Sequence, residues 1–167
     1  MAYTDIDKPS DYFETNLHTG TGSTHNITSL DFAPNFVWLK SRTQGGTGYN
    51  GMHYLFDTIR GATKRVRAND GSVEATSSAS LTAFNSDGFT LGSDEIVNKN
   101  GDAYVSWNWK AGTAFSNSAG ANGADLASTG SYNRDAGFSI VTWTGNATDD
   151  QQIYHGLNAV PQMMILK

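Results

Sequence analysis

The sequence predicts an all-β protein built as an antiparallel β-sandwich, and three observations support this prediction. Charged residues make up only 16% of the chain, and the abundant Ser, Thr, Asn and Gly favour short strands joined by turns. Residues 103–110 alternate between apolar and polar side chains, which is the period of a strand with one buried face. Asn-Gly and Asp-Gly turn pairs recur between apolar segments, and no convincing amphipathic helix exceeds two turns.

The alternating segment 103–110 is expected to be a central strand of the sandwich. Trp107 and Trp109 are two positions apart and therefore face the same way, and each can bury roughly 150–250 Å². Large aromatic side chains are usually buried, so both are expected in the core beneath a second layer. The alternative is an exposed aromatic platform for sugar rings.

The other strands are predicted from apolar segments bounded by turn residues. These predicted strands lie at residues 12–19, 25–30, 36–40, 53–59, 83–91, 94–97, 137–144 and 160–166. Between them, residues 41–51 are rich in Gly and polar side chains and are expected to form a loop.

Four segments are predicted along the chain. Residues 1–11 are polar and form an N-terminal docking arm or a frayed terminus, and residues 12–112 form a first β-sandwich repeat. Residues 113–136 are rich in Gly, Ala, Ser and Asn and are interpreted as a linker or long loop. Residues 137–167 then supply the first strands of a second, truncated repeat.

The second repeat is predicted from an internal duplication. Residues 13–20 align with 138–145, and residues 30–40 align with 157–167. The second copy reaches only the point where the first has two or three strands, so it cannot bury its own faces. Either the sequence is the N-terminal part of a longer serial protein, or the last strands complete the first domain or a neighbouring subunit.

Charge and composition disfavour several classes of partner. The net charge of −5 and the pI near 5.1 give no basic field for nucleic acid. The absence of Cys excludes disulfides and thiolate metal sites. No apolar run approaches the ~20 residues of a membrane helix, so membrane insertion is not expected. Synthesis in a cytoplasm is the expectation.

A search for chemistry predicts no enzyme, no cofactor and no metal centre. The four His lack metal-ligand spacing, and no nucleophile elbow or phosphate-binding loop is present. Carboxylates and an amide in turns could hold calcium or could simply form those turns; they are Asp87, Asp94, Asn100 and Asp102. Exposed aromatic side chains could stack on glycan, and the candidates are Tyr49, Tyr104 and Trp143.

A basic cluster stands out in this acidic chain. It consists of Arg60, Lys64, Arg65 and Arg67. One interpretation is an exposed strand whose charges discourage edge pairing. The other is an interface to an acidic neighbouring protein. Asp5 and Asp7 of the N-terminal arm are further interface candidates.

The chain resembles a repeated domain found in tail-fibre and other appendage proteins of tailed bacteriophages. Four motifs in the same order carry the resemblance: Pro-Asn-Phe-Val-Trp-Leu-Lys-Ser-Arg at 34–42, His-Tyr-Leu-Phe-Asp-Thr-Ile-Arg-Gly at 53–61, Phe-Asn-Ser-Asp-Gly-Phe-Thr-Leu-Gly at 84–92, and Asn-Gly-Asp-Ala-Tyr-Val-Ser-Trp-Asn-Trp-Lys-Ala-Gly at 100–112.

The resemblance implies a concanavalin-type, lectin-like jelly roll and a structural role in the virion. Tail fibre, head fibre and baseplate-associated protein all remain open at this stage. The family contributes no catalytic motif. The expected partners are other virion proteins, further copies in a homo-oligomer, commonly a trimer, and host surface glycan.

Overall fold

The computed structural model describes residues 6–44 and 51–167, and strands dominate these residues. In chain order the strands are β1 Phe13–Thr19, β2 His25–Ile27, β3 Phe36–Ser41, β4 His53–Asp57, β5 Lys64–Arg67, β6 Ala75–Thr76, β7 Leu81–Asn85, β8 Gly88–Leu91, β9 Ala103–Trp109, β10 Thr113–Asn117, β11 Ser128–Asn133 and β12 Phe138–Trp143. The short helices described are 3-10 turns at Pro9–Asp11 and Ala121–Gly123 and the α-helix α1, Glu95–Asn98.

The largest sheet has six strands in the order β1-β9-β3-β4-β5-β6, and all neighbours are antiparallel. β9 lies between β1 and β3, so Trp109 is opposite Phe13 on one side and Phe36 on the other. The prediction of a central strand at this position is therefore confirmed.

A second layer covers one face of this sheet. It consists of the three-stranded sheet β2-β8-β7 together with α1. The core between the layers is formed by Ile27, Val37, Leu39, Tyr54, Phe56, Leu81, Phe89, Leu91, Ile96, Val97 and Tyr104. The predicted all-β, antiparallel sandwich is thus the observed fold.

The central strand turns the opposite face to the core from the one predicted. Tyr104 is fully buried there; its hydroxyl donates to the Glu95 carbonyl and accepts from the Lys99 N–H, both at 2.9 Å. The neighbouring inward residues Ser106 and Asn108 are also fully buried. Hydrogen bonds satisfy the Asn108 side-chain amide Nδ2, including one of 3.1 Å to Ser106 Oγ, whereas Asn108 Oδ1 is buried without a partner.

Trp107 and Trp109 consequently lie on the outer face and are only half-buried. The prediction that they sit in the sandwich core was wrong. Alternation along β9 gives the correct period, but it does not say which of the two faces is covered.

The segment predicted as a linker, residues 113–136, contains two strands. β10 and β11 pair with β12 in a separate three-stranded sheet of order β10-β11-β12. Gly130 on β11 has no room for a side chain, because a Cβ would lie 2.6 Å from the Phe115 ring and 2.2 Å from the Ile140 carbonyl oxygen. The small residues of segment 113–136, which suggested a flexible linker, therefore allow close packing between strands.

Two further expectations of strands were wrong. Residues 94–97 belong to the turn and helix of α1, where the Asp94 carboxylate accepts the Ile96 N–H and caps the first turn. Residues 160–166 form no strand, and their large side chains Val160, Met163, Met164, Ile165 and Leu166 are 52–82% exposed.

Candidate interaction surface

The outer face of the six-stranded sheet carries a group of large rings, here called the aromatic face. It consists of Phe13, Phe36, Trp38, Trp107 and Trp109. The registers of β1, β9 and β3 place these residues side by side, because Trp109 is opposite Phe13 and Phe36 and Trp107 is opposite Trp38. Their shared orientation follows directly from the strand period.

The rings of the aromatic face contact one another at steep angles, from 50° to 73° between ring planes. Ring centroids are 4.8 Å apart for Phe13 and Trp109, 5.4 Å for Phe36 and Trp109, and 6.0 Å for Trp38 and Trp107. Tilted contacts of this kind stabilise by about 0.5–1.5 kcal/mol each beyond their area. The face is therefore a preformed, rigid apolar surface.

One end of the aromatic face is covered from above by Phe138 of β12. Phe138 stacks on Trp109 with centroids 5.7 Å apart and planes 16° from parallel, and it meets Phe36 edge-on at 5.8 Å. This places the three-stranded sheet β10-β11-β12 against the outside of the large sheet. Phe13, at 38% exposure, stays open on the other side of Trp109.

The Trp38 side chain is fixed by a neighbour on β4. Its indole Nε1 donates a 2.8 Å hydrogen bond to His53 Nδ1. Burial, and then the nearby Lys40 ammonium, lower the pKa of His53. A neutral His53 retains the lone pair that accepts this bond, so the aromatic face is polar at one margin and apolar elsewhere.

The basic cluster is neutralised by its own surroundings. Each of its cations lies against a carboxylate: Arg60 and Asp57 at 2.6 Å, Lys64 and Glu74 at 3.3 Å, Arg65 and Asp94 at 2.7 Å, and Arg67 and Asp70 at 2.9 Å. β5 also pairs on both sides, with β4 and β6, and is half-buried. The interpretation of this cluster as an exposed, edge-protecting strand was wrong.

The candidate glycan-stacking residues do not form one site. Tyr104 is completely buried in the sandwich core, so its expected role as an exposed stacking residue was wrong. Trp143, at the end of β12, is 41% exposed. Tyr49 lies outside the described residues.

The N-terminal arm is fastened where the structure describes it. Lys8 Nζ contacts the carboxylates of Asp31 at 2.6 Å and Asp11 at 3.0 Å. Asp7 is exposed beside this contact, and Asp5 lies outside the described residues.

A histidine pair was missed by reasoning from the sequence. His18 of β1 and His25 of β2 meet edge to face at 5.6 Å, and His18 stacks on Tyr104 at 5.5 Å. Both ring nitrogens of His18 and Nδ1 of His25 are buried without a hydrogen-bond partner. Burial, followed by repulsion from His25, lowers the pKa of His18 to about 4.

The described residues offer neither the ligand grouping of a metal site nor a membrane-spanning helix. In the part of the chain that the structure describes, no group of three or more His, Cys, Asp or Glu side chains is placed to hold a metal ion. Asp94, one of the residues considered for calcium, instead accepts hydrogen bonds from Arg65, Ser77 and Ser80. Within residues 6–44 and 51–167, none of the helices has the length and apolar character of a membrane span.

Comparison with known proteins identifies one family. A domain of unknown function, DUF7483, matches residues 8–167, which include all the strands described above. No curated protein and no solved structure matches the chain.

Proposed function

The chain belongs to the DUF7483 family of domains of unknown function, and we propose that it is a structural protein of a phage virion appendage, either a tail fibre or a head fibre. In this proposal it forms the N-terminal, anchoring part of a fibre built from several β-sandwich repeats. It is made in the host cytoplasm and assembles into the virion with other structural proteins.

The contact around Trp109 is the observation that carries the proposal. Phe13 begins β1 and Phe138 begins β12, and the two residues are equivalent in the internal duplication. Both rings contact Trp109, at 4.8 and 5.7 Å. In this proposal β12 is the first strand of the second unit, and its contact with Trp109 is the kind of packing that serially stacked repeats require.

The rest of the surface agrees with a role in assembly. The aromatic face is half-exposed beyond Phe138, and a rigid apolar surface of this kind favours contact with another protein. The cations of the basic cluster are paired with carboxylates of the same chain. A partner protein would therefore be recognised through surface shape and apolar contact. Homo-oligomerisation, with a trimer favoured because fibres of this kind are commonly trimeric, would cover these surfaces.

Virion composition tests this role directly. Mass spectrometry of purified virions of the phage that encodes the chain should detect it, and labelled antibody should place it on an appendage in electron micrographs. Recovery of the chain only from infected-cell lysate, and never from virions, would exclude the proposal.

A carbohydrate-binding module is the second candidate, and the exposure of Trp143 favours it. An indole that is 41% exposed on a strand can stack on a sugar ring. A glycan array with the full chain should then give hits that Trp143→Ala abolishes and Val73→Ala retains. Val73 is a suitable control because it is also exposed and lies on a different strand connection.

A further inference from the structure

We propose that the free edge of β1 in one copy of this chain binds residues 160–166 of a second copy as an added β-strand. The proposal rests on these two segments of residues 1–167, and its test is separate from the test of the virion role. It assigns an interaction surface, its partner and the geometry of assembly.

The open edge of β1 follows from the hydrogen bonds at both ends of the β1–β9 pair. Lys110 N–H donates to the Tyr12 carbonyl at 2.9 Å, and Gly20 N–H donates to the Asp102 carbonyl at 2.8 Å. In an antiparallel pair the bonded residues alternate, so the even-numbered residues of β1 face β9. The N–H and C=O groups that point away from β9 belong to Phe13, Thr15, Leu17 and Thr19.

This edge lacks the features that normally prevent strand addition. β1 has seven residues in unbroken register with β9, without a bulge, and contains no Pro and no Lys. Phe13 is 38% exposed and Leu17 is 61% exposed on it. A long, regular and partly apolar edge is a template for another strand.

Residues 160–166 are a strand-like segment without a sheet. They align with residues 33–39, which include the first four residues of β3, a strand paired on both sides. Seven of the nine exposed large apolar side chains of the described residues lie either on β1 or in this segment. Most of the exposed large apolar side chains therefore lie on a free strand edge and in an unpaired segment of the same chain.

The position of Lys167 favours pairing between copies. Its Nζ donates to the Asp70 carbonyl at 2.6 Å, and Asp70 follows β5, near the opposite side of the six-stranded sheet from β1. Four strand spacings separate β1 from β5, which is about 19 Å. The end of the segment is thus held about four strands away from β1 of its own sheet, so the β1 edge that binds the segment belongs to another copy.

The side chains of the segment match the surface that they would extend. Met163 and Ile165 align with Phe36 and Trp38, which face outward from β3. In the same orientation on β1 they would lie on the face that carries Phe13 and Leu17 and would continue the aromatic face. Because each copy offers one edge and one segment, the contact is heterologous and builds chains or closed rings.

Sedimentation velocity of the full chain over a wide concentration range tests the proposal. The unaltered chain should form oligomers that grow with concentration. Thr15→Pro removes an outward N–H and should abolish them, whereas Thr76→Pro makes the same change on the opposite edge and should not. Ile165→Asp should also abolish them, with Val73→Asp as the control for an exposed apolar residue that gains a charge.

Mixing the two blocked variants gives the sharpest outcome. Thr15→Pro keeps a working segment and Ile165→Asp keeps a working edge, so the mixture should form dimers that grow no further. Circular dichroism and thermal melting check that each variant is folded. If Thr15→Pro unfolds, Leu17→Lys takes its place, with Val73→Lys as its control.

Two results would overturn the proposal. One is a monomer at every concentration. The other is an oligomer that both blocked variants still form, which would assign association to another surface. Presence or absence of the chain in virions does not enter this test.

Discussion

Phe138 lies stacked on Trp109 and joins two sheets that share no backbone pairing. The contact brings the three-stranded sheet β10-β11-β12 against the outside of the large sheet. Trp109 itself is held from the other side by Phe13. A single indole therefore contacts the first residue of β1 and the first residue of β12.

Phe138→Ala should lower the free energy of unfolding by about 2 kcal/mol. A fully buried Phe contributes more, about 3–5 kcal/mol, and Phe138 is only half-buried. Urea unfolding followed by Trp fluorescence measures the loss. Phe13→Ala is the matched control, since it removes a more exposed ring from the same Trp109 and should cost less. Equal losses for the two variants would contradict this account of the contact.

The His18–His25 pair should make stability depend on pH. The folded pKa of His18 is about 4 and its ordinary value is 6.5, so between these values the unfolded chain binds a proton that the folded chain does not. This contribution is complete above pH 6.5 and falls as the pH drops towards 4, by at most about 3 kcal/mol.

Urea unfolding at several pH values between 4 and 7 checks the histidine prediction. His18→Gln should reduce the change of the unfolding free energy with pH. The pH dependence that remains should reflect His53, whose pKa is also lowered. His155→Gln removes a histidine outside the pair and serves as the control. An unchanged slope in His18→Gln would show that another group is responsible.

Asp94→Asn should destabilise the protein by about 2 kcal/mol. The carboxylate caps α1 and lies 2.7 Å from Arg65, and breaking such a pair costs about 3–5 kcal/mol when it is fully buried. The side chains are 19% and 21% exposed, so the smaller value applies. Thermal melting measures the loss, and Asp149→Asn, at an exposed position, should leave stability unchanged.

The same carboxylate should also contribute to acid sensitivity. Burial acts to raise the pKa of Asp94, but hydrogen bonds from Ser80 and Arg65 together hold it below its ordinary value. A lowered folded pKa stabilises above the unfolded value and is lost as the pH falls through the folded value. In Asp94→Asn the acid-induced loss should therefore be smaller than in the unaltered chain, and an equal loss would refute this role.

Gly88→Ala should disrupt the second layer of the sandwich. Gly88 has φ of +153°, and a Cβ there would lie 1.8 Å from the Ile27 carbonyl oxygen on β2. Loss of soluble protein, or a stability loss above about 2 kcal/mol, is expected. Gly71→Ala is the control, because the space around Gly71 is open. Comparable melting temperatures for the two variants would disprove the steric explanation.

The positions of most strands could be predicted because alternation and turn residues are local signals. The Asp87-Gly88 turn, for example, joins β7 and β8 as expected. The buried face of β9 could not be predicted, because a face bearing Tyr104, Ser106 and Asn108 looks polar until its hydrogen bonds are known.

The interaction surface was harder to predict than the strands, because contacts between residues far apart in the chain determine it. Arg65 meets Asp94 from 29 positions away, so sequence alone suggested a free basic patch. The strands within 113–136 were hidden by small residues that fit tight contacts, as at Gly130. Asp94 is a favourable N-cap residue and is therefore a local signal for α1. The strand-like pattern of the neighbouring residues nevertheless favoured a β prediction.

The placement of β9 between β1 and β3 also determines when the sheet can form during synthesis. Glu14 and Asn108, partners across β1 and β9, are 94 residues apart in the chain. The nascent N-terminal strand therefore stays unpaired until residue 109 has left the ribosome. Refolding should be slow, in the range of milliseconds to seconds that pairings between distant residues require.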